Sequence, residues 1–151
     1  MSAGLAPPRM LLAMAAVVDV ALHARPAPVS ARALAARHDL PPRHLETVLQ
    51  ALVHHGILKG VRGPRGGYEL ARERRRISAG EVARAALAII ERGAEPTARS
   101  ALVSGVVEPL AAEATAAFLA ALDTVSIDDL CRRATEGRVF GAREADGDFA
   151  I

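Results

Sequence analysis

Arg62 and Arg65 frame a turn dense in backbone-permissive residues, Gly63-Pro64-Arg65-Gly66-Gly67. Shortly before it, Arg43, Thr47, Gln50 and His54 recur at helical spacing and share one face. A guanidinium presents a planar fork of donors that fits phosphate oxygens and guanine edges. Glycines beside it allow close approach to a sugar–phosphate backbone, where Arg62 and Arg65 could enter a narrow groove that concentrates negative potential. The plain reading of such a turn is a solvated hairpin, charged for solubility. What decides between the two is the company the turn keeps.

The charge balance favours a polyanion. All but one of the 19 basic residues are arginine, the exception being Lys59. Residues 1–76 carry 12 Lys/Arg against 5 Asp/Glu, a balance of +7, and residues 77–151 carry 7 against 12, a balance of −5. A basic first half joined to an acidic second half suggests a polyanion-binding module with a separate pairing or regulatory element. Other chemistries find little support. No Ser/His/Asp order, paired carboxylate site or phosphate-cradling Gly-Lys-Ser/Thr loop is present, so no enzyme is expected. With 3% aromatic residues and no Trp, stacked platforms for single-stranded nucleic acid are not expected. His54 and His55 diverge by about 100° on a helix, and no Cys/His spacing resembles a zinc motif, so no metal is expected. A single cysteine, Cys131, excludes an internal disulfide framework and suits a reducing cytoplasm.

The elements that position these residues follow from periodicity and punctuation. In the 151-residue chain, 51% apolar residues suffice for a core, and wholesale disorder is excluded. The apolar run Met10–Val18 is too short to span a bilayer, follows Pro7-Pro8 with only Arg9 for positive charge and is interrupted by Asp19, so it reads as part of a buried first helix, Pro8 to His23, rather than a signal peptide. Asp19 and His23 fall off its apolar stripe. Arg25-Pro26-Ala27-Pro28 predicts an extended connection. Ser30 caps a second short helix to about His38. After the turn Asp39-Leu40-Pro41, a third helix runs from Pro42 to about His55 and stops at Gly56, with Leu45, Val48, Leu49 and Leu52 inward. Two helices joined so tightly, the second polar on one side, read as a helix-turn-helix. Paired strands around Ile57–Arg62 and Tyr68–Ala71 then make the arginine turn a wing.

Past the basic stretch Arg72–Arg76, Ser78 and Glu81 have capping-box spacing and open a helix to about Glu91. Residues 92–100 are polar and broken by Gly93 and Pro96. Val103, Val107, Leu110, Ala114, Ala117 and Ala121 then recur as an a/d seam of one long helix, widened by Phe118, Leu119 and Leu122 and bent at Pro109. So large an apolar face packs either on its own domain or on a second copy; a helix-turn-helix that reads two half-sites favours the second copy. Ser126 caps a last short helix with acids in its first turn. The fold class expected is mainly α with a small β-hairpin wing, a winged helix-turn-helix plus a long dimerisation helix. Its expected divisions are 1–76 for the DNA-binding domain, 77–134 for linker, dimerisation and terminal helices, and 135–151 for a mobile tail.

Val29-Ser30, Leu45-Glu46, Gly56-Ile57-Leu58 and above all Val61-Arg62-Gly63-Pro64-Arg65-Gly66-Gly67-Tyr68-Glu69-Leu70-Ala71 resemble the Rrf2 family, the IscR/NsrR-type winged helix-turn-helix transcriptional regulators of bacteria. Ile77-Ser78-Ala79-Gly80-Glu81-Val82 and Val125-Ser126-Ile127-Asp128-Asp129-Leu130 match comparable segments, so the likeness covers about residues 9–134. The resemblance implies a cytoplasmic homodimer with crossed long helices, binding an inverted-repeat operator in double-stranded DNA, and read here as a repressor. It places Arg43, His44, Glu46 and Thr47 on the recognition helix, Arg62 in the minor groove, Arg65 and the turn glycines Gly63 and Gly66 at the backbone, and Ser30 near a phosphate. It places Val103, Val107, Leu110, Ala114, Ala117, Phe118 and Ala121 at the dimer seam. Glu46 could equally orient a neighbouring arginine, and His44 could be a plain surface residue.

Three departures qualify the likeness. Cluster-bearing members carry three cysteines between the fourth and the long helix, and Glu91 to Glu108 contains none, so a cluster-less branch with no cofactor is expected. Pro41 replaces a hydroxyl that would cap the recognition helix. Pro7 and Pro8 stand where members have polar and basic groups. These leave room for an alternative, a regulatory module of the same fold that binds a partner enzyme, and for a small-molecule effector. No membrane partner is expected. Cys131 reads as a packing residue or, more sharply, as a redox site between subunits.

Overall fold

The structure is a computed structural model and describes residues 4–92 and 98–139. The break at 93–97 and most of the expected tail, 140–151, lie outside the described residues. Among the described residues, six α-helices and one hairpin follow the expected order: α1 Pro8–His23, α2 Ala31–Arg37, α3 Pro42–His54, β1 Leu58–Val61, β2 Gly67–Leu70, α4 Ala79–Arg92, α5 Glu108–Asp123 and α6 Ile127–Glu136. The basic stretch forms a 3₁₀ turn at Arg74–Arg76.

One contiguous buried cluster joins α1, α2, α3, β1, α4 and α6, with Met10, Leu34, Leu45, Leu49, Leu52, Ile57, Ile77 and Ile127 among its largest members. The stripe read from α3 is the face that packs, since Leu45, Val48, Leu49 and Leu52 are all buried. Ser30 accepts from the Ala33 N–H and caps α2 as expected. Pro41 precedes α3 and supplies no side-chain cap. Gly56 ends the α3 segment at φ +72°, a left-handed conformation that costs a residue with a Cβ.

Asp19 corrects the reading of α1. The apolar stripe leaves it on another side, yet it has no exposed surface. Arg37 donates to its carboxylate from Nε at 2.9 Å and Nη2 at 2.6 Å. His23 Nδ1 lies 3.1 Å from Oδ1, and His38 Nε2 lies 3.0 Å from Oδ2. A charge this deep is tolerable only when paired on every side. The linker after α1 also differs from a plain extended stretch. It bends over 25–27 with a cis Arg25–Pro26 bond and is extended only near Val29 and Ser30.

The hairpin pairs Leu58 with Leu70 and Val61 with Gly67, and Val29 joins it through an isolated antiparallel bridge to Tyr68. The Val29 N–H donates to Tyr68 O at 2.9 Å, and the Tyr68 N–H donates to Val29 O at 2.8 Å. Two backbones pass so closely that a Cβ on Gly67 would stand 2.4 Å from Val29 O. The glycine's closest approach is thus to the chain itself. Gly67→Ala is expected to cost about 1–3 kcal/mol, the range for forcing volume into a packed site. Urea unfolding checks this; a midpoint unchanged from wild type would contradict it.

The acidic half is tied together by two neighbouring helix starts. Ser78 and Glu81 exchange capping bonds at α4, and Ser126 and Asp129 do the same at α6. The Ala79 N–H donates to Val125 O and the Ile127 N–H to Ile77 O, lacing the two starts side by side. The Ser126 N–H, with help from its hydroxyl and Arg132, holds the Asp129 carboxyl below its ordinary value. Arg84 forms a two-pronged bond to Asp123 at 2.6 and 2.9 Å, which links α4 to the end of α5 and lowers the Asp123 carboxyl likewise. Ahead of Pro109, where a bend was expected, the helix makes a π-helical turn over Val103–Val107, closed by the Glu108 N–H donating to Val103 O. A proline has no N–H to continue the α-helical ladder, and a π turn is a known means of absorbing that gap.

Candidate nucleic-acid interface

α3 presents Arg43, His44, Glu46, Thr47 and Gln50 to solvent, opposite its buried leucines. The wing turn presents Arg62, Gly63, Pro64 and Arg65, with Gly66 half-buried. Among the described residues, the guanidinium groups of Arg43, Arg62 and Arg65 form no hydrogen bond or ion pair. That separates them from the structural arginines. Arg37 is bound to Asp19, Arg74 to Asp128 at 2.8 Å, Arg84 to Asp123, and Arg72 to Glu81 and to the carbonyls of Gly56 and Arg76. Cationic forks left without partners on a rigid scaffold are what polyanion binding requires.

The two elements are neighbours. A cleft of about 1000 Å³ has Thr47 and Gln50 of α3 and Gly60 and Tyr68 of the hairpin on its walls. Ser30, Arg65 and Gly66 meet at a second cleft, because the Val29–Tyr68 bridge holds the wing against the start of α2. Of the expected site residues, Ser30, Arg65 and Gly66 share one cleft and Thr47 stands on the other beside the hairpin, whereas Arg43, His44, Glu46, Arg62 and Gly63 line neither. Arg37 was not among the expected site residues, nor was Asp19. Their signal, a lone acid inside an apolar helix and an arginine at the end of α2, is visible only once the helices are packed.

The seam residues face outward. Val107, Leu110, Ala114, Ala117, Phe118 and Ala121 are exposed and Val103 is half-buried, whereas Leu119 and Leu122 turn toward the chain's own core. The helix Val103–Asp123 is also the one among the described residues that is long and apolar enough to cross a membrane.

Cys131 is 2% exposed in α6. Burial pushes its thiol above the ordinary value, against the opposing influence of Arg74. Iodoacetamide at neutral pH is therefore expected to label Cys131 at least about tenfold more slowly in the native protein than in denatured chain, since the thiolate is the reactive form. Equal rates, read by mass spectrometry, would contradict its burial.

The profile of a family described as "Rrf2: Iron-dependent Transcriptional regulator" matches residues 8–133. An HTH-type transcriptional regulator IscR from Xenorhabdus nematophila is 39% identical over 70 residues, 46% of this chain and 43% of that protein. The chain spans about half the length of the curated relatives it matches. Among solved structures, IscR of T. potens superposes with a TM-score of 0.67 at 27% identity, over 87% of this chain and 89% of that one. Staphylococcus aureus CymR superposes at 0.62 with 21% identity over 83% and 96%, a likeness of fold. The family description mentions iron. Cys131 is the chain's one thiolate donor, buried in α6, and no three His, Cys, Asp or Glu residues among those described converge as ligands. The residues present do not fit a thiolate-held iron–sulfur cluster.

Proposed function

The chain belongs to the Rrf2 family, and from that premise we propose that it is a sequence-specific, double-stranded-DNA-binding transcriptional regulator. It acts as a homodimer, works without an iron–sulfur cluster, and represses from an inverted-repeat operator in the cytoplasm. Residues 1–76 bind DNA and residues 77–134 pair the subunits. Arg43, His44, Glu46 and Thr47 enter the major groove. Arg62 reaches the minor groove, while Ser30, Gly63, Arg65 and Gly66 lie along the backbone. The observation that carries this reading is the set of unpartnered guanidinium groups on α3 and the adjoining wing turn.

Selection of duplexes from a random pool at two salt concentrations tests it. Binding should fall steeply with salt, because each phosphate contact releases condensed counterions. On the selected site Arg62→Ala should lose about 1–3 kcal/mol and relax the preference at flanking positions. Wild-type affinity and selectivity in that variant would remove Arg62 from the interface. One observation favours a second reading, a module that binds a partner enzyme: Pro41 leaves α3 without a side-chain cap. A selection that yields no preferred duplex, with a stoichiometric protein partner in pull-downs, would put that reading first.

A further inference from the structure

Among the described residues, the long helix is docked at its C-terminal end. All of residues 101–123 are exposed except Val103, Leu119 and Leu122, and the two leucines pack against the core from the last turns of α5. The partner of that end is α4, which belongs to the winged body: Val82, Ala83, Ala85 and Ala86 are buried in one cluster with α1 and α3. Just past α5, the Ala79 N–H donates to Val125 O and the Ile127 N–H to Ile77 O, both at 2.8 Å, which fixes where the helix ends. Arg84 then grips both carboxylate oxygens of Asp123, the last residue of α5, at 2.6 and 2.9 Å, which fixes the direction in which α5 leaves. Gly80 shows how close the approach is. It is buried in the first turn of α4, and a Cβ there would overlap Asp123 Oδ1 and stand 3.0 Å from the Asp123 backbone N. Glycine weakens a helix relative to alanine, and the room it leaves at this point is filled by the partner carboxylate.

We infer that Gly80, Arg84 and Asp123 are positioning residues that set how far apart the two winged domains of the proposed dimer stand, and so which spacer length its operator must have. The inference rests on the reading of a DNA-binding homodimer and deepens it. The seam on α5 pairs the copies, and each winged body hangs from the end of that helix. A two-pronged guanidinium–carboxylate bond constrains angle as well as distance. Across a domain roughly 25 Å wide, a swing of about 10° carries the wing about 4 Å, more than the rise of one base pair, about 3.4 Å. A stiff joint therefore links two half-site contacts only when the spacer fits, and a loose one links them over a range.

Asp123→Ala and Arg84→Ala each remove the bond, and because both side chains are exposed the fold and the seam should survive. Full-length wild type and both variants are titrated with duplexes that hold two selected half-sites, the spacer lengthened or shortened one base pair at a time, and with a single half-site. Wild type should prefer one spacer by about tenfold or more over its neighbours, since linkage is lost where geometry forbids simultaneous engagement. In either variant that preference should fall to about two- to threefold, with half-site affinity and sedimentation as a dimer unchanged. Gly80→Ala should flatten or shift the same profile by displacing Asp123, and added to Asp123→Ala it should change nothing further, because both act through one contact. A purely structural role would lower stability without moving the spacer profile. Variants that stay dimeric and keep the wild-type profile overturn the proposal and leave the DNA-binding dimer standing. Asp123→Ala sedimenting as a monomer would make the pair part of the seam and overturn it as well. A wild type that is monomeric, or that binds no duplex, overturns both the proposal and the reading beneath it.

Discussion

Asp19→Ala is expected to destabilise the protein by about 3–5 kcal/mol, the range for removing one partner of a buried ion pair. The loss has two parts. Arg37 would keep a guanidinium at a site built to neutralise it, and His23 and His38 would each lose an acceptor. Domains of this size have about 5–15 kcal/mol to lose, so the unfolding midpoint in urea should drop markedly. Asp19→Asn separates charge from shape. It can still accept from Arg37 but cannot balance its charge, and should fall between wild type and the alanine variant. A loss under about 1 kcal/mol for Asp19→Ala would show the pair to be no better than an exposed one. Because Asp19 in α1 ties down Arg37 and His38 at the end of α2, the same change should loosen α2 before the rest of the fold. Hydrogen exchange at α2 amides would register that as faster opening than at α3 or α4.

What could be read from the chain beforehand divides along the range of the interactions. Helices α1, α3, α4 and α6 are legible because their start and stop signals are local: Pro8 in a first turn, Gly56 past an end, Ser78–Glu81 and Ser126–Asp129 as capping pairs. The seam of α5 is legible because its period needs no partner to be seen. The burial of Asp19 is not legible because its partners Arg37 and His38 come from α2 and the residue after it, and nothing in the spacing around position 19 announces them. Gly67 was recognised as permissive but for an incomplete reason, since the backbone that crowds it belongs to Val29. The π turn before Pro109 is a further case: proline signals a fault in the ladder, but how the fault is absorbed depends on the carbonyls around it. In the site, charge and motif located α3 and the wing. The cleft shared by Arg37 and Arg65 depends on the Val29–Tyr68 bridge, a long-range pairing of one residue on each side that leaves no periodic trace.

Leu110→Asp is expected to convert the proposed dimer to monomer and, through that, to cost operator binding far more than any single contact. Leu110 is 65% exposed and Phe118 36% exposed on a helix whose other side packs inward through Leu119 and Leu122. An apolar stripe of that extent on one free chain marks an interaction surface rather than a solvated face. Three surfaces could cover it: the chain's own domain, a bilayer or a second copy. Among the described residues the first is not used, since the seam is exposed while the helix is already docked by the Arg84–Asp123 bond. A bilayer suits the helix by length and composition alone; Glu108 and Glu113 are both exposed on it, and buried carboxylates in hydrocarbon are costly. A second copy accommodates both, because the seam is apolar at a and d positions while the acids stay at its margin. Two identical seams meeting about a two-fold axis would also give the two wings the symmetry of an inverted repeat. Linking two half-site contacts can raise apparent affinity by about 10²–10⁴ without any new contact, so the monomeric variant should lose on that order. Sedimentation velocity and titration of full-site and half-site duplexes read the two effects together. The seam reading survives if Leu110→Asp sediments as a folded monomer that binds the half-site as well as wild type does. A variant that stays dimeric, or a wild type that floats with neutral lipid vesicles and does not self-associate, would sink it.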